Sequence, residues 1–146
     1  MKIKTALRTA AAAALAVGTL TGLAMPAQAA GNYSGAGSPL TLTTYGASRT
    51  GFGPSAPSTV PATSTITGVS YSISYSRPSF APGSLSSQIC YTGFGCTAAS
   101  YPSGSTTAFN GLAANKDLYF KFIWSGGSGT IKGGVNVTDS ITVDYS

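Results

Sequence analysis

Between Thr63 and Ser76 the chain alternates with a period of two. Thr65, Thr67, Val69, Tyr71, Ile73 and Tyr75 fall on one side, and Gly68, Ser70, Ser72, Ser74 and Ser76 on the other. A helix would scatter these residues around its axis, whereas a strand gathers the larger ones on one face and leaves a small polar face to water. The stretch therefore predicts a half-buried strand of an antiparallel sheet, and its apolar face requires a second layer. Ile66 breaks the parity just before Gly68, which predicts a bulge there. Leu118 to Trp124 repeats the pattern with Leu118, Phe120, Phe122 and Trp124 on one face. Two such segments with few competing signals point to paired sheets.

Shorter segments follow the same logic. Leu40 to Tyr45 predicts a short strand, and Gly46 to Pro61, with Gly51, Gly53, Pro54, Pro57 and Pro61, predicts a long loop. Leu85, Ser87, Ile89 and Tyr91 alternate into Cys90-Tyr91-Thr92-Gly93-Phe94-Gly95-Cys96, read as strand, tight turn and strand. Tyr101 to Thr106 reads as a turn, Thr107 to Leu112 as a short strand, and Ala113 to Asp117 as a turn. Ser125 to Gly129 predicts a glycine hairpin turn, followed by two strands at Ile131 to Val137 and Ser140 to Tyr145. The expected fold is an all-β antiparallel sandwich of about seven or eight short strands.

The first 29 residues stand apart. Lys2, Lys4 and Arg8 precede an apolar run from Ala10 to Leu23, and Ala27-Gln28-Ala29 offers small residues for cleavage. This is the pattern of an export signal, with residues 1–29 removed, 30–39 a flexible lead-in and 40–146 a single domain. No later run reaches the ~18 apolar residues of a membrane helix. The whole chain has a formal charge of +5. Without the signal, Arg49, Arg77, Lys116, Lys121 and Lys132 stand against Asp117, Asp139 and Asp144, a net of +2. Five scattered cations do not form the clustered basic surface of a nucleic-acid binder.

Export to an oxidising compartment favours a Cys90–Cys96 disulfide over two buried thiols. By loop entropy such a ring contributes about 2 to 2.5 kcal/mol, enough to fix a hairpin but not to replace a core. Two thiolates without a histidine leave tetrahedral zinc two ligands short, so no metal is expected. Five intervening residues and no expected helix argue against redox work at these sulfurs.

Chemistry is scarce elsewhere. The chain has no histidine and no glutamate, which removes His-dependent triads and the usual neutral-pH base. Within one strand Asp139 and Asp144 would point to opposite sides, roughly 17 Å apart, whereas a glycosidase pair converges within about 5 to 10 Å. Asp117 reads as a turn residue. Gly126-Gly127-Ser128-Gly129 lacks the lysine and helix of a phosphate loop. The sequons at Asn32 and Asn136 are expected unmodified after a bacterial-type signal. No catalytic residue and no cofactor is expected. Contact is left to aromatic side chains: Tyr91 and Phe94 at the pinned turn, and Tyr101 beyond it.

The order of features from Thr67 to Tyr145 resembles the flagellar periplasmic protein FlhE family. The matching pieces are Thr67-Gly68-Val69, Pro82-Gly83-Ser84-Leu85, and Ile89 leading into the cysteine pair. Ser103-Gly104-Ser105-Thr106-Thr107, Leu118 to Trp124 with its glycine turn, and the closing Ile141-Thr142-Val143-Asp144-Tyr145 complete the set. The resemblance implies a small exported β-sandwich without enzymatic activity, periplasmic, beside the flagellum. It further implies limiting proton leak through the flagellar export apparatus, or chaperone-like binding of rod components. The other reading open at this stage is a secreted carbohydrate- or cell-surface-binding module using exposed tyrosines.

Overall fold

A computed structural model describes residues 30–146, so the expected export signal lies outside the described residues. Among them there is no helix. Nine strands form two antiparallel sheets: β1 (Gly31–Ala36), β2 (Leu40–Thr44), β3 (Ser48–Phe52), β4 (Ile66–Ser76), β5 (Ser84–Tyr91), β6 (Gly95–Ala99), β7 (Ser103–Thr106), β8 (Leu118–Ser125) and β9 (Thr130–Tyr145). Sheet A runs β1-β9-β4-β7, with β2 also pairing β9; sheet B runs β3-β8-β5-β6. The expected sandwich is present.

The two best-patterned strands form its middle. Leu118, Phe120, Phe122 and Trp124 of β8 are buried and face Val69, Tyr71 and Ile73 of β4 with Val135, Val137, Ile141 and Val143 of β9. Phe120 meets Tyr71 edge-on at 5.8 Å and stacks with Phe122 at 5.3 Å, so aromatic rings join the sheets as well as fill the space between them. Truncating any of these rings would cost about 3 to 5 kcal/mol. Trp124 donates its indole N–H to the Pro82 carbonyl at 3.0 Å, which satisfies the one polar atom of the largest core side chain.

The expected bulge is present, with the β4–β9 register slipping between Ile66 and Gly68. Other expectations are corrected. The segment read as a flexible lead-in, 30–39, holds β1, paired with β9 from Gly31↔Tyr145 to Ala36↔Ser140. The stretch 46–61 read as loop contains β3. Tyr101 to Thr106 contains β7, while Thr107 to Leu112 is a turn that drops Phe109 into the core. Ser125 to Gly129 is not a hairpin, because β8 and β9 lie in different sheets and the turn crosses between them.

The two expected C-terminal strands are one strand of 16 residues. It spans the sheet because β1 and β2 lie end to end along one of its edges. Its register against β2 slips between Leu42 and Thr44, and the extra residues are taken up at Gly133 and Gly134, with φ of 76° and 65°. That left-handed backbone is open to glycine and strained for other residues.

Candidate functional site

Strand parity gives the two outer faces different chemistry. On sheet B, register aligns Phe52 with Tyr119, Tyr119 with Cys90, and Cys90 with Cys96, a row crossing all four strands. Cys90 and Cys96 are disulfide-bonded, as the export context favours. Phe52 is 73% exposed and Phe94, at the β5–β6 turn, 65% exposed. A groove of about 440 Å³ runs beside the row, lined among others by Phe52, Thr92, Asp117, Tyr119 and Lys121. The Thr92 N–H and hydroxyl both donate to the Asp117 carbonyl, and the Ala56 N–H donates to the Asp117 carboxylate at 3.2 Å. The floor of the groove is therefore tied to three segments. Exposed Phe52 and half-buried Tyr119 on paired strands, with exposed Phe94 at the turn and one cation and one anion beside them, suit a contact surface more than a reaction centre.

The residues expected to make contact are separated. Tyr91 is only 7% exposed and donates its hydroxyl to the Ala113 carbonyl at 2.9 Å. It shares the inward parity of Ile89, stacks on Phe109 at 6.1 Å, and is a core residue rather than a contact. Burial raises its pKa, which keeps it a neutral donor. Phe94 is exposed as expected. Tyr101 is 52% exposed but lies past the far end of β6, braced by Tyr75 at 4.9 Å. Phe52 was hidden in a stretch read as loop. The one signal that marked it was its aromatic ring between glycines.

Tyr33 and Asp139 are also buried inside the sandwich. Tyr33 donates to the Ala114 carbonyl at 3.0 Å, and burial, then the charge of Asp117, push its pKa up to about 12. Asp139 occupies an inward position of β9, is 5% exposed, and neither carboxylate oxygen has a hydrogen-bond partner. Burial raises its pKa to about 6, partly opposed by the nearby Gly37 backbone. Asp144 is exposed on the other parity, so the two aspartates do not converge. Among the described residues no group of His, Cys, Asp or Glu could hold a metal ion.

Fold and surface together define an all-β antiparallel sandwich with one hairpin pinned by a disulfide. The family profile described as flagellar protein FlhE matches residues 40–146, from the start of β2 to the end of the chain. The chain belongs to the FlhE family. The crystal structure of FlhE shares its fold, with a TM-score of 0.67 and 24% identity, covering 80% of this chain and 96% of that one. A search of curated proteins gives no match.

Proposed function

We propose that this protein is a non-enzymatic, periplasmic accessory of flagellar assembly that holds a protein partner, a rod or export component, against the outer face of sheet B. The row Phe52–Tyr119–Cys90–Cys96 carries this reading. Its aromatic anchors, exposed Phe52 and half-buried Tyr119, are already held by strand pairing, so little side-chain entropy is lost on binding. Membership of the FlhE family supplies the flagellar setting. Through that contact the protein limits proton leak at the export apparatus, or shields rod components before assembly. Deleting the gene and restoring it as wild type or as Phe52→Asp tests this, with swimming speed and cytoplasmic pH as readouts. Impaired swimming or acidified cytoplasm, corrected by wild type and not by Phe52→Asp, is the expected result. Unchanged swimming and unchanged pH on deletion would overturn it.

A further inference from the structure

The outer face of sheet A is a second surface, of another chemistry. Register aligns Ser34, Thr142, Ser70 and Ser105 in one row, and Ala36, Ser140, Ser72 and Ser103 in the next. Thr138 with Ser74, then Thr41, Asn136 and Ser76, continue the array. Rows lie two residues apart along each strand and members of a row about 4.8 Å apart, a spacing on the scale of a sugar ring. None of these residues is charged; Asp144 lies at one end of the array and Lys132 at the other, while Arg77 turns over the Trp124 ring and donates to the Ala81 carbonyl. Water-facing sheet surfaces commonly carry a mixture of charges.

A groove of about 580 Å³ opens on this face, a size typical of ligand sites. Its lining includes Ser72, Ser74, Thr138 and Ser140, with Tyr101 and Ser103 as a wall; Asp139 also borders it, but with its side chain on the inward parity and only 5% exposed. The wall is fixed: the Ile73 N–H donates to the Pro102 carbonyl at 2.7 Å, and the Ser100 N–H to the Tyr71 hydroxyl at 2.8 Å. Tyr101 thus stands at the edge of the groove, half-exposed, with its ring braced from the inner side by Tyr75.

Each hydroxyl both donates and accepts, so the array has no preference for either sign of charge. An anionic or cationic ligand would meet no counter-charge here. A protein partner would find none of the aromatic or arginine anchors that mark interface cores along the rows. A neutral, hydroxyl-rich chain matches the surface in charge and hydrogen-bonding capacity, and an aromatic ring at the rim suits stacking on a pyranose. We infer that the outer face of sheet A, with Tyr101 as its stacking wall, binds a neutral β-linked polysaccharide chain. This site is separate from the sheet B row.

The test is retention of the purified mature protein on insoluble chitin and on insoluble cellulose, with chitohexaose and cellohexaose as competitors. Retention on at least one polysaccharide is expected, released by the matching hexasaccharide. Tyr101→Ala and Ser74→Lys, both exposed changes, should each lower the retained fraction at least fivefold, with the far-ultraviolet circular dichroism unchanged. Tyr101→Phe should keep most of it, and Ser86→Lys on the outer face of sheet B should leave it intact. No retention on either material, or retention that both Tyr101→Ala and Ser74→Lys leave within twofold of wild type, overturns the proposal. Neither failure touches the sheet B reading, which rests on swimming and cytoplasmic pH.

Discussion

Asp139 of β9 and Gly51 of β3 meet across the sandwich: a side chain begun at Gly51 would sit 3.1 Å from the Asp139 Oδ2. The gap is closed on another side by Gly37, whose N–H donates to the Asp139 main-chain carbonyl at 3.0 Å. The carboxylate therefore lies among backbone and the Phe122 ring, with the Gly37 backbone near it and no hydrogen bond formed to either oxygen. The charge-bearing side chains nearest in sequence on the packed strands are Arg49 on β3 and Lys121 on β8. Lys121 has outward parity, and Arg49 is exposed at the edge of sheet B.

Such a carboxyl is more comfortable protonated. Its folded pKa is raised from 3.8 to about 6, so the folded state holds the proton more tightly than the unfolded chain. Its contribution is most favourable below the unfolded pKa, falls as pH rises between about 4 and 6, and levels off above that. The shift corresponds to about 3 kcal/mol. Asp139→Asn should flatten the stability profile across this window and raise the melting temperature at pH 7.5 by several degrees. Melting curves at pH 4, 5, 6 and 7.5 check it. An unchanged slope in the variant would show that this carboxyl is not the source.

The disulfide makes a second expectation. Cys90 is fully buried and pairs directly with Cys96 across the β5–β6 ladder. The short ring stabilises by about 2 kcal/mol through the unfolded chain. Replacing both cysteines with serine should lower the denaturation midpoint accordingly, while partner contact persists once the protein is folded. Urea titration followed by a binding measurement on the folded variant separates the two. A variant of normal stability that has lost contact would make the sulfurs part of the surface.

On sheet B, Phe52 and Phe94 should separate stability from binding. Both rings are largely exposed, so replacing either with alanine should cost at most about 1 kcal/mol of stability. As contact anchors they should each weaken partner capture about tenfold or more. Tyr91→Phe is the contrast. It leaves the Ala113 carbonyl without its donor, and it should destabilise by about 1 to 2 kcal/mol without altering the surface. Chemical denaturation and capture assays on the three variants would show the opposite pattern if Tyr91 were the contact.

Legibility followed burial. β4 and β8 were readable because tertiary packing acts on every second side chain, which leaves a period in the sequence. The parity that put Tyr91 with Ile89 also placed its ring in the core; proximity to the turn pointed the other way. β1, β3 and β7 are edge strands. β1 buries only Tyr33, β3 buries only Gly51, and β7 has no fully buried residue. Backbone pairing holds them, and backbone pairing leaves no hydrophobic pattern. The 16-residue β9 read as two strands, Ile131 to Val137 and Ser140 to Tyr145, because Asp139 interrupts its inward row. Asp139 was illegible for the same reason: a carboxylate at a core position breaks the rule by which core positions are found. The rows of sheets A and B required register, which the sequence does not state.

The bend in β9 provides the last prediction. Gly134 has φ of 65°, and a Cβ there would lie 2.5 Å from the Cγ2 methyl of Thr41. Gly134→Ala therefore meets two obstacles, a left-handed backbone costing about 1 to 2 kcal/mol and a clash with β2. Thr41→Ser deletes the methyl but keeps the hydroxyl that donates to the Asn136 side chain at 2.8 Å. The double variant should regain the clash part of the loss and retain the backbone part, a coupling of about 1 kcal/mol in a double-mutant cycle. Full recovery would mean that the left-handed backbone imposes no penalty at this position. No recovery would mean that β2 shifts freely and the methyl was never an obstacle. Either result would measure how firmly β2 is held against the bend, and with it how rigid the end of sheet A is next to the Thr41–Asn136–Ser76 row.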